Sequence, residues 1–218
     1  MDKKQENLAN MRNSYEKGTL SKDQIDENPF QQFQVWFDQA VQSDEIYEAN
    51  AMVVATASKN AQPSARITLL RGIQEDGFVF YTNYNSRKGQ EMLENPQVSL
   101  LFFWDALERQ IRIEGHCEKV PEEQSTNYFQ SRPKESQICS MLSNQSSEIE
   151  SRSVLENEKK VLEDEYAEVE KIPRPENWGG FIIKPTYFEF WQGRAFRLHD
   201  RIAYKSVDGK WQISRLAP

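Results

Sequence analysis

Between residues 28 and 41 the apolar positions Phe30, Phe33, Phe37 and Val41 recur every three to four residues, the spacing of one helix face. Asn28-Pro29 stands directly in front and supplies an N-cap and a first-turn proline, so a core helix is expected there. From residue 51 the period shortens. Ala51-Met-Val-Val-Ala-Thr-Ala57 is a compact apolar run of strand length, and Lys59-Asn-Ala-Gln-Pro63 turns the chain into a second strand, Ala65-Arg-Ile-Thr-Leu-Leu-Arg71. A further turn at Glu75-Asp-Gly77 leads into Phe78-Val-Phe-Tyr-Thr82, which makes a meander. Ser86 then reads as the N-cap of a helix reaching about Glu94, where Asn95-Pro96 ends it.

Strand patterning returns at Val98-Ser-Leu-Leu-Phe-Phe103 and Arg109-Gln-Ile-Arg-Ile-Glu-Gly115. Residues from about 121 to 172 change character: they are charged, with Leu155, Leu162, Tyr166 and Val169 spaced as one apolar helix stripe, and Pro173 and Pro175 close the segment. This predicts an inserted helical lobe, with the charged run Glu156 to Glu170 as its solvated face. Short strands follow around Phe181-Ile-Ile183, Phe188-Glu-Phe-Trp191, Ile202-Ala-Tyr204 and Trp211-Gln-Ile213, with a hairpin at Asp208-Gly209. Six to eight short antiparallel strands interrupted by helices imply a mainly β, α+β fold, a closed or split barrel rather than a doubly wound sheet. Residues 1–27 are polar, with modest apolar spacing at Leu8, Met11 and Tyr15; they read as a separate arm able to close over a site, with 28–218 as one domain.

Composition narrows the function classes. The chain has 218 residues, enough for one substantial core, and although only 38% are hydrophobic and mean hydropathy is -0.79, 5 Trp, 8 Tyr and 12 Phe provide bulky core material. A net charge of -7 would repel a long polyanion, so nucleic-acid binding is not expected. No apolar run has membrane-spanning length and the first residues lead into no signal core, so a cytoplasmic protein without membrane association is expected. Cys117 and Cys139 are too few for a disulfide framework. His116 beside Cys117 on a strand would face the opposite way, so no metal site is expected. No GxGxxG or GxxxxGK[ST] run occurs, which removes support for a Rossmann nucleotide site or a P-loop.

Against this acidic average, basic clusters stand out. Arg197, His199 and Arg201 occupy alternate positions; on a strand they would line one surface while Leu198, Asp200 and Ile202 face the other way, either as an anion site or as a charged edge strand. Tyr81-Thr-Asn-Tyr-Asn-Ser-Arg-Lys88 joins a strand to a helix N-terminus and brings amides, hydroxyls and the cations Arg87 and Lys88 together, as a phosphate site or as an ordinary capped helix. Arg66 and Arg71 are five apart, which places them on opposite faces of a strand unless a bulge or bend intervenes. Arg132-Pro133, with Tyr128 upstream and Ser136 downstream, is a second candidate anion site, and Gln145-Ser146-Ser147 adds amide and hydroxyl donors.

In sequence order, Arg66-Ile-Thr-Leu-Leu-Arg71, Tyr81-Thr-Asn-Tyr-Asn-Ser-Arg-Lys88, Tyr128-Phe-Gln-Ser-Arg-Pro133, Ser136-Gln-Ile138, Asn144-Gln-Ser-Ser147, Trp178-Gly-Gly-Phe181, Glu189-Phe-Trp-Gln-Gly193, Arg197-Leu-His-Asp-Arg201 and Trp211-Gln-Ile-Ser-Arg-Leu-Ala-Pro218 resemble the pyridoxine/pyridoxamine 5'-phosphate oxidase family. The resemblance implies an FMN-binding split barrel, a homodimer with flavins in clefts between subunits, and oxidation of pyridoxamine or pyridoxine 5'-phosphate to pyridoxal 5'-phosphate with dioxygen reduced to hydrogen peroxide. By resemblance, Arg66, Arg71, Tyr81, Thr82, Arg87, Lys88, Gln110, Gln145, Ser146, Trp191 and Arg201 contact FMN. Arg71, Tyr128, Arg132, Ser136, Arg197 and His199 contact substrate, the last two as catalytic residues, and Arg12 to Tyr15 form a lid. The family usually carries lysine where this chain has Arg71, a change of geometry rather than of charge. The competing readings are a split-barrel flavin oxidoreductase acting on another substrate, and a non-catalytic binder of FMN or pyridoxal phosphate.

Overall fold

The computed structural model describes residues 10, 14–142 and 145–218. The strands among the described residues are β1 (Ala51–Ala57), β2 (Pro63–Leu69), β3 (Gly72–Gln74), β4 (Gly77–Asn83), β5 (Gln97–Trp104), β6 (Arg109–Lys119), β7 (Trp178–Gln192), β8 (Asp200–Val207) and β9 (Lys210–Leu216). The α-helices among the described residues are α1 (Pro29–Val41), α2 (Arg87–Glu94), α3 (Glu122–Ser131), α4 (Lys134–Cys139) and α5 (Arg152–Glu165). Strand order is β2-β1-β5-β6-β7-β4-β3, with β8 on β7 and β9 on β8. This is the α+β class expected from the patterning. Two of the expected short strands, around Phe181 and Phe188, are in fact parts of the single 15-residue strand β7. Lys184-Pro-Thr186 between them continues the strand, and the Lys184 carbonyl passes so close to Gly115 that a Cβ there would collide with it.

The chain divides into two compact units. The first comprises the described part of Met1–Asn50, with Leu101–Ile113 and Thr186–Pro218. Its core is aromatic: Phe33 meets Phe102 edge-on at 5.2 Å, Trp36 meets Phe190 at 5.3 Å, and Phe190 meets Tyr204 at 5.5 Å. Helix α1 begins as expected, with the Asn28 side chain accepting from the Phe30 N–H at 2.9 Å. Its buried face is Pro29, Gln32, Phe33, Trp36 and Ala40; Val41, expected on that face, is 60% exposed. Strands β8 and β9 close over the two-residue loop Asp208-Gly209, both with positive φ (50° and 75°), as the dipeptide predicted.

The second unit comprises Ala51–Leu100 and Glu114–Pro185. Here β1 pairs antiparallel with β2, placing Thr56 opposite Ser64 and Val54 opposite Arg66. Strand β4 pairs with β3 on one side and with the first half of β7 on the other, placing Tyr81 opposite Gly180. Helix α2 starts at the expected cap: Ser86 Oγ accepts from the Gly89 N–H at 3.2 Å. The three helices α3 to α5 fall within the stretch expected to be helical. Phe129, Ile138, Ile172 and Trp178 form a buried cluster, with Leu162 and Tyr166 of the expected stripe packed against it.

Candidate functional site

In the second unit the end of β2, strand β4, the start of α2 and the α3–α4 segment enclose a cavity of about 400 Å³. Its walls include Arg71, Lys88 and Arg132, together with Thr68, Tyr81, Thr82, Tyr128, Ser140, Gln145 and Trp178, and they contain no carboxylate. Three cations around a cavity without a counter-charge, on a chain of net charge -7, form an anion site by composition. Lys88 is only 8% exposed. Burial, with the Arg66 charge added, pulls its ammonium down to about 8. Its Nζ donates to Gln145 Oε1 at 2.9 Å, and Thr82 Oγ1 donates to the same oxygen at 3.1 Å. The Arg87 N–H at the start of α2 donates to Ser146 Oγ at 3.2 Å, which brings the 145–146 turn onto the helix end.

The opposite wall is aromatic. Tyr81 stacks on Tyr128 at 3.8 Å and on Trp178 at 5.6 Å, with interplanar angles of 15° and 12°. The Arg132 guanidinium lies 4.8 Å over the Trp178 ring and donates to Ser140 Oγ at 2.5 Å. Burial, with Arg71 nearby, lowers the pKa of Arg132 from its ordinary value, the signature of a cation held without an anionic partner. Tyr81 is raised by burial, so it stays a neutral phenol.

Arg66 and Arg71 separate for a simple reason. Strand β2 stops at Leu69, short of the expected Arg71; the Arg71 N–H bonds the Val79 carbonyl at 2.8 Å and its side chain joins the cavity wall. Arg66 stays on the strand and turns to Glu91 of α2, 3.4 Å away, while Arg87 reaches the same carboxylate through Nε at 2.8 Å.

In the first unit the expected alternating row does not form. Ala195–Arg197 is a 3-10 turn with Phe196 and Arg197 at φ 57° and 64°, and of the three basic residues only Arg201 lies on a strand. Arg197 is exposed; His199 is half-buried and sits between Tyr15 (5.7 Å) and Trp191 (4.7 Å). Its Nδ1 accepts from the Arg194 N–H at 3.1 Å, so the neutral ring carries its proton on Nε2. Burial and the Arg197 charge lower its pKa, which keeps it neutral at pH 7. Asp200 anchors this loop: it accepts from Arg194, Arg215 and the Leu20 N–H, the last tying the N-terminal arm down. Arg201 is committed to the buried Glu189 at 2.7 Å, and Arg112 approaches the same carboxylate at 3.0 Å.

Of the residues singled out by sequence, Arg71, Tyr81, Thr82, Lys88, Tyr128, Arg132 and Gln145 line the one cavity. Ser136 does not line it; its carbonyl accepts from Ser140 Oγ, and Ser140 takes the place beside Arg132. Tyr15, Trp191 and His199 come together in the first unit, where Gln110 is half-buried on β6. Arg12 lies outside the described residues. Trp178, Ser140 and Glu91 were missed as site residues; Trp178 carried the one available signal, its place in Trp178-Gly-Gly-Phe181.

Comparison with known proteins gives a consistent set. Residues 38–163 match the signature of pyridoxamine 5'-phosphate oxidase, and residues 178–218 that of the pyridoxine 5'-phosphate oxidase C-terminal dimerisation region. A pyridoxine/pyridoxamine 5'-phosphate oxidase of Gloeothece citriformis is 50% identical over 98% of this chain and 99% of its own. One from Salinibacter ruber is 47% identical over 97% and 99%. Among solved structures, PhzG from Burkholderia lata 383, in complex with tetrahydrophenazine-1-carboxylic acid, superposes with a TM-score of 0.83 at 27% identity, over 92% of this chain and 98% of that one. A pyridoxamine 5'-phosphate oxidase-related, FMN binding protein from Nostoc punctiforme gives 0.71 at 15% identity over 89% and 100%, a likeness of fold. The fold class is therefore the split barrel that the resemblance implied.

Proposed function

This chain belongs to the pyridoxine/pyridoxamine 5'-phosphate oxidase family, and from that premise we propose that it is an FMN-dependent oxidase. It converts pyridoxamine 5'-phosphate and pyridoxine 5'-phosphate to pyridoxal 5'-phosphate, with dioxygen as the electron acceptor. The observation that carries this reading is the cavity with Arg71, Lys88 and Arg132 in its walls and no carboxylate among them. The residues fit FMN: a buried lysine beside a capped helix start suits a phosphate, and the flat Tyr81-Tyr128-Trp178 stack suits a ring system. Bound FMN would supply two-electron chemistry, accepting a hydride from the exocyclic carbon of the substrate and passing the electrons to dioxygen.

The chain's own residues supply position and charge. In this reading Lys88, Arg87, Thr82, Gln145 and Ser146 hold the flavin phosphate, with Arg66, Tyr81, Gln110, Trp191 and Arg201 as further cofactor residues. Arg132, Arg71 and Tyr128 take the substrate phosphate; Ser136, which is not in the cavity wall, is assigned to substrate by the family resemblance alone. Arg197 and His199 meet the substrate ring, His199 donating from Nε2. Tyr15, beside Trp191 and His199, is assigned to substrate, as is Arg12 by the family resemblance alone. The match to a C-terminal dimerisation region supports a homodimer. No helix among the described residues is long and apolar enough to cross a membrane, and the free thiols of Cys117 and Cys139 support a cytoplasmic setting.

The test is optical. The purified protein, loaded with FMN, should bleach on adding pyridoxamine 5'-phosphate under nitrogen and regain its yellow colour in air with release of hydrogen peroxide. A flavin that stays oxidised with both substrates refutes the assignment.

A further inference from the structure

We propose that Glu91 is a positioning residue for the cofactor phosphate: its buried carboxylate holds Arg87 and Arg66 beside the start of α2, so that the cations are in place before the phosphate arrives. The proposal rests on the FMN reading above. Glu91 lies one helical turn beyond Arg87 and its side chain is only 7% exposed. Oε1 accepts from Arg87 Nε at 2.8 Å; Oε2 accepts from Thr56 Oγ1 and Ser64 Oγ, each at 2.5 Å, and faces Arg66 at 3.4 Å. Thr56 and Ser64 are cross-strand partners on β1 and β2, so the carboxylate ties the helix to the hairpin that carries Arg66.

A carboxylate placed here answers a specific electrostatic difficulty. Arg66 bears on Lys88 strongly enough to help lower its pKa, and Arg87 immediately precedes Lys88 in the chain. With no counter-charge these cations would repel one another, and Arg87, whose side chain is 60% exposed, would extend into water. Burial alone would raise the Glu91 carboxyl, but the bonds from Ser64, Thr56 and Arg87 outweigh it and hold the group down at about 2, so the counter-charge is present at any working pH. Arg87 is held through Nε, at the inner end of its guanidinium, so the terminal nitrogens are not what anchors it. Arg66, by contrast, is satisfied inward by Val54 O, Thr56 and Ser64, and serves the site mainly through its charge.

The experiment compares two flavins on apoprotein. FMN and riboflavin share the ring and differ by the phosphate, so the ratio of their dissociation constants, read by quenching of flavin fluorescence, isolates the phosphate contribution. Glu91→Ala should lower the FMN-over-riboflavin preference about tenfold, the scale of one lost charge-assisted bond. Glu91→Gln, which keeps the shape and an acceptor oxygen, should lower it a few-fold by the same reasoning and serves the same comparison if the alanine variant does not fold. A purely structural role would weaken both flavins alike. An unchanged ratio in the folded variants overturns the proposal while leaving the FMN reading intact; a wild-type chain that shows no preference for FMN over riboflavin removes that reading and the proposal with it.

Discussion

Replacing Lys88 by methionine should make the apoprotein more stable and the cofactor complex weaker. Lys88 is buried, with Gln145 Oε1 as its hydrogen-bond partner at 2.9 Å, and its ammonium titrates at about 8 rather than at the lysine value of 10.5. A base whose folded pKa is depressed disfavours folding while it is charged: the penalty is full below pH 8 and is relieved as pH rises from 8 towards 10.5, where the unfolded chain binds the extra proton. At roughly 1.4 kcal/mol per unit the shift is worth on the order of 3 kcal/mol, and relaxation around the site reduces it to about 2. Methionine fills similar space without the charge, so apo Tm should rise by about 4–8 °C at pH 7. A phosphate dianion would reverse the balance by restoring the charge. FMN affinity in the wild type should then be full below pH 8 and fall by up to about tenfold per unit above it, a limb absent from Lys88→Met. The variant should bind FMN about 10- to 100-fold more weakly at pH 7, with riboflavin little changed. Calorimetry of the apoproteins and flavin titrations between pH 7 and 9.5 read both halves. A variant no more stable than wild type that also keeps full FMN affinity refutes the reasoning.

Three further outcomes follow from the same geometry. Arg197→Ala should lower turnover at least about tenfold while leaving flavin content unchanged, because the exposed Arg197 is assigned to substrate and not to the cofactor; equal loss of both contradicts that role. His199 should show a protonated Nε2 and a bare Nδ1 in nitrogen-15 spectra of the side chains at pH 7.5, since the Arg194 N–H occupies Nδ1; with His116 as the other histidine of the chain the assignment is direct, and a protonated Nδ1 would be inconsistent with it. Acid should remove the Glu91 contribution: its folded pKa of about 2 lies below the ordinary 4.5, so the stabilisation is full above 4.5 and lost as pH falls towards 2, on the order of 1–2 kcal/mol after solvent screening of the exposed Arg87 partner, which Glu91→Gln should flatten out of the acid limb. Acid-limb curves that superimpose for the two proteins would count against it.

What was legible in the sequence is what is local. The Ser86 cap and the Asp208-Gly209 hairpin are written in adjacent residues, and they form where expected. Strand β7 was read as two pieces because adjacent residues do not show its long-range neighbours, among them Gly115, some 70 positions away in the chain, against which the Lys184 carbonyl packs. The Arg197-His199-Arg201 row was misread because two consecutive residues, Phe196 and Arg197, adopt left-handed backbone that costs about 1 kcal/mol each and carries no sequence signal in non-glycine residues. Half of the cavity wall was visible as basic clusters. Ser140 and Glu91 were not, since a hydroxyl and a helix-face carboxylate look like ordinary surface until the fold brings Arg132 to one and Arg87, Thr56 and Ser64 to the other.

The central claim is that the carboxylate-free cavity beside α2 seats the phosphate of a flavin. A crystal structure of the protein grown with FMN tests it most directly: the phosphorus should lie within hydrogen-bonding reach of Lys88 Nζ and the 145–146 turn, with Gln145 released from its bond to Lys88. Well-ordered FMN whose phosphate contacts neither Lys88 nor Arg87 would contradict the account.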